Sequence, residues 1–341
     1  MTTWNPSANW LRITTIDAHT GGEPLRVITS GWPDLPGDTI LAKRRYATQH
    51  HDHLRTALMW EPRGHADMYG AILTPPVTPD GDLGVLFLHN EGFSTMCGHG
   101  VIALSKVLLD TGMIDKPGDA PVIRMDTPAG RVTAIATRER GVVTSVTFEN
   151  VPSFVFVLNE TVDAPGVGLV QYDVAFGGAF YAFVNADHLR IGLGAQNFGE
   201  LIDVGMRIKA AIMASLSLRH PFEPDLGFLY GVIFVGAAHD PAHHSRNVCM
   251  FANGEIDRSP TGTGVSARAA LHYARGEIGL HEPFTVESIL GSCFTGQVVG
   301  TTRFGPHDAV IPQVTGTAHL VGRSEWWIDP DDALRNGFVF R

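Results

Sequence analysis

The chain contains one structural unit twice. The strand-like stretch GVLFLHN runs into the loop EGFSTMCGHG and then into the apolar helical stretch VIALSKVLLDTG, which Gly112 can close. In the second half, VIFVG and NVCMFANG precede the loop EIDRSPTGTG and the helical stretch VSARAALHYARG, which Gly276 can close. A Gly-containing, strand-rich segment follows each helix, RMDTPAGRVTA after the first and TVESILGSCFTGQVV after the second. Cys97 and Thr261 hold the same place in the two units, nearly half the chain apart. An internal duplication of roughly 160 residues accounts for this pattern. It predicts an α/β fold of two pseudo-symmetric domains, 1–155 and 156–341, with a boundary near Pro152 to Pro165. The two would face each other across a cleft, with the C-terminal tail free to return to the first.

Elsewhere, LRITTIDAHTGGEPLRVITSG reads as strand, Gly-Gly turn and strand, because its flanks are rich in β-branched residues. Asp38 reads as the N-cap of a helix running to about Leu58. With 44% hydrophobic and 18% charged residues, the 341-residue chain can bury a sizeable core. A formal charge of −10 excludes the basic face that a nucleic-acid binder needs. Three cysteines, Cys97, Cys249 and Cys293, are too few and too scattered for a disulfide framework or a zinc ribbon, and they fit a reducing compartment. The N-terminus lacks the pattern of a signal peptide, and VIALSKVLL is about half a membrane span. A cytoplasmic protein without membrane contact is expected.

The chemistry concentrates in the two loops. In Cys97-Gly98-His99-Gly100 the glycines let the backbone turn tightly, and the first amides of the following helix lack intrahelical partners. A carboxylate can sit on those amides, at the positive end of the helix dipole. A cysteine there is expected to have a depressed pKa and to serve as a base. Thr261-Gly262-Thr263-Gly264 offers a second cradle. Two such termini converging on one carboxylate would stabilise the charge that develops when its α-proton leaves. Both loops also match G-x-G-x-x-A, but without the strand context and distant acidic residue of a dinucleotide site.

The remaining clusters read as structural. His50, His51 and His53 lie at the polar end of a helix, and His243 and His244 lie in a loop, so both groups are expected on solvated faces with no metal bound. Arg63, in the turn EPRGH, is a candidate bridge between loops. Trp326 and Trp327 read as core or interface.

MCGHG at 96–100 and DRSPTGTG at 257–264 resemble the two signature loops of the proline racemase family. TIDAHTGGEP, EPRGHADMYGA and FGGAFYAFV extend the resemblance over nearly the whole chain, in the expected order. The resemblance implies a fold like diaminopimelate epimerase, in which each domain is a curved mixed sheet around a central helix. It also implies cofactor-independent chemistry at an α-carbon and a homodimer acting on a small imino acid. Family members that invert this carbon carry a cysteine in both loops. Here the second position is Thr261, an alcohol unsuited to matching a thiol as acid or base. The Cys/Thr pairing is similar to that of the family's trans-3-hydroxy-L-proline dehydratases. By that resemblance Cys97 is the base, and the amides of Gly98, His99, Gly262 and Thr263 hold the carboxylate. Asp257 and the His99 side chain meet the ring nitrogen, and Thr261 faces the substrate. The alternatives are a 4-hydroxyproline 2-epimerase, a proline racemase, or a non-catalytic imino-acid binding protein.

Overall fold

The computed structural model describes residues 4–340. The first half comprises β1 (Leu11–Thr20), β2 (Glu23–Ser30), α1 (Ile40–His50), α2 (Asp52–Met59), β3 (Tyr69–Thr74), β4 (Leu83–His89), β5 (Gly92–Phe93), α3 (Gly98–Asp110), β6 (Val122–Thr127), β7 (Gly130–Glu139) and β8 (Val142–Glu149). The second comprises β9 (Ser153–Ala164), β10 (Gly168–Phe176), β11 (Phe180–Asn185), α4 (Ala186–Leu189), α5 (Phe198–Ser215), β12 (Leu229–Gly236), β13 (Ser245–Phe251), β14 (Glu255–Ile256), α6 (Gly262–Ala274), β15 (Phe284–Glu287), β16 (Cys293–Phe304), β17 (His307–Gly316) and β18 (Ala318–Ile328).

The strand pairing repeats as the sequence does. In the first set the spatial order is β18-β1-β2-β3-β4-β6-β7-β8. In the second it is β9-β10-β11-β12-β13-β15-β16-β17, and β17 returns to β9 to close the ring. Only β2–β3 and β4–β6 are parallel in the first set, and only β11–β12 and β13–β15 in the second. These positions correspond. The last strand of the chain, β18, takes beside β1 the place that β9 takes beside β10. Residues 155 and 156 lie inside β9, and β8 bonds β17 to join the two sets.

Each set wraps one helix. α3 packs on β1, β2, β7, β8 and β18, and α6 on β9, β10, β11, β16 and β17. A helix enclosed this way is buried on every side, and the charged side chains it carries, Lys106 on α3 and Arg268 on α6, are bonded inside. Accordingly, every residue of α3 from Gly98 to Leu109 is buried, and in α6 every residue from Gly262 to His272. A smaller core of Ile13, Ile28, Leu54, Leu58, Leu86 and Leu88 lies under α1 and α2. The single helix expected from Asp38 is in fact these two. Thr39 caps the first, its Oγ1 accepting from Ala42 N at 3.0 Å. The chain leaves helical geometry at His51 (φ −128°), and the second helix turns Leu54, Ala57 and Leu58 inward.

The two central helices meet at their N-termini. A Cβ on Gly98 would stand 2.6 Å from Gly262 Cα, and one on Gly262 would stand 2.8 Å from Gly98 Cα. Nothing larger than hydrogen fits at either position. Gly98→Ala is therefore expected to destabilise the fold by about 1–3 kcal/mol in urea unfolding, the usual cost of overpacking a filled interior. Gly199→Ala, in open space on α5, is the control and should be near neutral.

Candidate active site

The abutting helix N-termini open onto a small pocket. Cys97, Gly98, His99, Asp257, Thr261, Gly262 and Thr263 all line it. The two sequence loops therefore share one chamber, with the thiol contributed by the first set of strands and the alcohol by the second.

Cys97 is the residue before α3. Its backbone is extended, and its Sγ accepts from Gly100 N at 3.2 Å, as an N-cap side chain does. The expected depression of its pKa is not what the structure supports. Burial pushes the thiol well above its ordinary range, and the charges of Asp257 and Glu23 push the same way. The Gly100 amide and the Tyr69 hydroxyl oppose this without overcoming it. One helix terminus contributes too little to offset the desolvation of a fully enclosed anion. These surroundings favour the thiol form of Cys97, and a cation beside it would favour the thiolate.

His99 Nδ1 stands 3.2 Å from Cys97 Sγ, and the ring also bonds the Pro24 carbonyl. Burial lowers its pKa to about 3, so the imidazole is neutral. It can orient the sulfur, but it carries no proton to give near neutral pH. The ring packs edge-on to Tyr69 at 4.7 Å.

Asp257 follows the short strand β14. Burial raises its carboxyl to about 6, although Ser259 N donates to Oδ1 at 2.7 Å and nearby Arg258 also favours the charged form. Behind it lies the fully buried Glu23, whose Oε2 accepts from Arg258 N at 2.7 Å. Burial and Asp257 raise the Glu23 carboxyl well above the ordinary range. Two carboxyls enclosed together make this wall hungry for positive charge.

Thr261 adopts φ +68°, ψ 91°, a left-handed backbone that a β-branched residue rarely takes. Its neighbours impose it. Thr261 N donates to Ser259 Oγ at 3.1 Å, and Asn247 Nδ2 donates to the Pro260 carbonyl at 3.1 Å. Arg268 in turn donates to Asn247 Oδ1 at 3.0 Å. The Thr261 hydroxyl is buried and has no hydrogen-bond partner of sound geometry in the protein. On the same loop, Thr263 Oγ1 meets the Tyr181 hydroxyl at 2.7 Å.

Five further residues contribute side chains that sequence reasoning did not place: Tyr69, Tyr181, Tyr230, Phe251 and Cys249. They come from β3, β11, β12 and β13, and only the strand order brings them together. Tyr69 lies within the recognisable EPRGHADMYGA segment and Tyr181 within FGGAFYAFV, the two signals that pointed toward them.

The other clusters fall elsewhere. His50 packs on Tyr46 at 4.3 Å. His243 and His244 are not simply solvated. His243 Nδ1 lies 3.0 Å from Glu287, and His244 packs on His272 at 4.6 Å, because β13 and β15 draw this loop against the sheet. Arg63 bonds the carbonyls of Trp327 and Arg335 and so ties the C-terminal segment down. Trp326 is half-buried under the Arg26 guanidinium, 4.4 Å from its ring. Among the described residues no group of three or more His, Cys, Asp or Glu could hold a metal. No helix among them is long and apolar enough to cross a membrane.

The arrangement suits a small zwitterion, its carboxylate on the paired amides and its cationic nitrogen toward Asp257. Asp257 carries charge only above about pH 6. L-proline affinity is thus expected to fall up to about tenfold per unit as pH drops below that value, because protonation removes the partner of the cation. Calorimetry across this range checks it, and Asp257→Asn should flatten the profile.

Comparison with known proteins finds relatives along nearly the whole chain. The proline racemase family model matches residues 15–339. A trans-3-hydroxy-L-proline dehydratase from Colwellia psychrerythraea is 48% identical over 341 residues, covering 99% of this chain and 96% of that protein. A 3-hydroxyproline 2-epimerase from Burkholderia multivorans is 43% identical over 329 residues, covering 96% and 98%. The crystal structure of a hydroxyproline epimerase from Agrobacterium vitis, with bound trans-4-hydroxy-L-proline, superposes with a TM-score of 0.93 at 32% identity, covering 98% and 96%. The expected epimerase-like fold is the observed one. With its family model matched almost end to end and its two signature loops closing on one chamber, the chain belongs to the proline racemase family.

Proposed function

We propose that this protein removes water from trans-3-hydroxy-L-proline to give Δ1-pyrroline-2-carboxylate. One observation carries the reading: the chamber places a thiol on one loop and an alcohol at the matching position of the other. A thiol can take a proton from carbon and give it back. An alcohol cannot match it, being far too weak an acid and base near neutral pH.

The stereochemistry of the substrate fits a single base. In trans-3-hydroxy-L-proline the hydroxyl and the α-hydrogen both lie opposite the carboxylate, so they share one face of the ring. The carboxylate would bind at the amides of Gly98, His99, Gly262 and Thr263, and the ring nitrogen at Asp257. The incoming cation favours the thiolate form of Cys97 against the burial and the neighbouring carboxyls that raise its pKa. Cys97 takes the α-proton, the paired helix termini stabilise the enediolate, and the β-hydroxyl departs. The resulting enamine tautomerises to the product. Tyr181, Tyr230 and Phe251 would enclose the ring and keep water from the carbanion.

These steps use only side chains and amides of this chain, so the proposal includes cofactor independence. The three unpaired cysteines support a cytoplasmic setting, and the family resemblance supports a homodimer.

A second reading, 3-hydroxyproline 2-epimerase, is favoured by two observations. The relative from Burkholderia multivorans bears that name, and Cys249 puts a second sulfur in the chamber wall. The two separate in deuterated water with trans-3-hydroxy-L-proline. Dehydration predicts pyrroline product, whereas epimerisation predicts α-deuterated cis-3-hydroxy-D-proline. A product assay on trans-3-hydroxyproline, trans-4-hydroxyproline and both prolines should show water loss from the first alone. Cys97→Ser is expected to lower that rate by about 10²–10⁴, the usual contribution of a positioned base. Thr261→Cys should gain measurable inversion at Cα, and a folded variant with no gain would remove the alcohol as the gate.

A further inference from the structure

The dehydration proposed above leaves one proton unassigned, because hydroxide departs slowly unless it is protonated as the C–O bond breaks. We propose that the Tyr69 hydroxyl is the catalytic acid that delivers this proton. The inference rests on the dehydration reading and goes beyond it.

The leaving hydroxyl shares the ring face of the α-hydrogen, so its acid must come from the side of the chamber that carries Cys97. Three proton-bearing side chains of the first strand set line that side: Tyr69, Cys97 and His99. The neutral imidazole of His99 is tied to the Pro24 carbonyl. Cys97 must stand beneath the α-carbon as base. Across the chamber, the Tyr181 hydroxyl is paired with Thr263 on the second loop. Tyr69 remains. It is buried, it extends from β3, and its hydroxyl is close enough to Cys97 to favour the thiolate.

The surroundings of the phenol suit a donor. Tyr69 Oη donates to Ser94 Oγ at 2.8 Å, and the Tyr230 hydroxyl lies 3.4 Å away. Ring packing on His89 at 5.5 Å and His99 at 4.7 Å fixes the plane, so the O–H turns about one bond only. Hydroxide is a far stronger base than phenolate, so the transfer runs downhill even for a buried phenol.

The atoms balance. The C2–H bond breaks as the proton passes to the Cys97 thiolate, and its electron pair forms the C2–C3 double bond. The C3–O bond breaks with both electrons going to oxygen, and that oxygen takes the Tyr69 proton and leaves as water. The phenolate then recovers a proton from the Cys97 thiol beside it. Thiolate and phenol are both restored, with no further reactant.

The test pairs two leaving groups on Tyr69→Phe. Trans-3-fluoro-L-proline presents the same geometry, but fluoride leaves without needing a proton. Tyr69→Phe is expected to slow dehydration of trans-3-hydroxy-L-proline by about 10²–10⁴-fold. Fluoride release should fall far less, by no more than the lost support of the hydroxyl for the Cys97 thiolate, and its persistence shows that the variant is folded and that Cys97 still works. Equal losses for both substrates would overturn the assignment and make Tyr69 a support for Cys97 or the fold. No loss for either would overturn it in favour of Cys97 as its own acid. Failure of the wild-type protein to form pyrroline from the hydroxy substrate would overturn the dehydratase reading itself, and with it this role for Tyr69.

Discussion

Two glycines facing each other without side chains set the geometry of this molecule. Gly98 and Gly262 bring the N-termini of α3 and α6 as close as backbones can come. Each helix is buried on every side, so neither can shift outward without tearing its own ring of strands. The consequence is chemical as much as mechanical. Amides that no helix can satisfy point from two directions into one small volume. A ligand carboxylate can meet both sets at once, and the charge that grows on it during proton abstraction is met by dipoles already in place. The residues on either side of this contact, Cys97 and Thr261, acquire their opposition from it.

Charge in the chamber is arranged to be incomplete. Asp257 and Glu23 are enclosed near one another, and Cys97 is enclosed near both. The groups that relieve them, the Arg258 backbone and guanidinium and the Gly100 amide, are too few to ionise all three. A zwitterion supplies what is missing, with its cation toward the carboxyls and its carboxylate on the amides. Binding and activation thus become one event. On the proposed reading, the arriving nitrogen would favour the thiolate that burial opposes.

The parts that were readable in the sequence are those that recur or that obey local rules. The glycine-flanked loops, the helices after them and the strand segments after those helices were visible because duplication printed them twice. The strand and Gly-Gly turn of β1 and β2 followed from β-branched runs and two glycines at positive φ. What stayed hidden depends on contacts distant in sequence. Tyr69, Tyr181, Tyr230, Phe251 and Cys249 converge only because β3, β11, β12 and β13 are placed by pairing, and no spacing encodes that. The pKa of Cys97 was misjudged for a related reason. The helix terminus is a local feature, whereas burial is a property of the whole fold, and burial is the larger effect. The break at His51 likewise serves a tertiary end, since it turns Leu54, Ala57 and Leu58 onto the smaller core.

Thr261 shows how one side chain can be held ready for either of two chemistries. Its left-handed backbone is unfavourable for a β-branched residue, and it persists because Ser259 and Asn247 bond the turn, with Arg268 holding Asn247 in place. Those bonds run through the turn's backbone and through Ser259 and Asn247, so they do not depend on whether residue 261 ends in oxygen or sulfur. The turn therefore sets where the terminal atom sits, and the atom itself sets whether a proton can be exchanged there. The buried hydroxyl there lies near Asp257 and Cys249 and faces the chamber. A scaffold built this way would pass between inverting and dehydrating reactions by exchanging the side chain at position 261, while the proposed carboxylate cradle, the carboxyl wall and the first sulfur stay as they are.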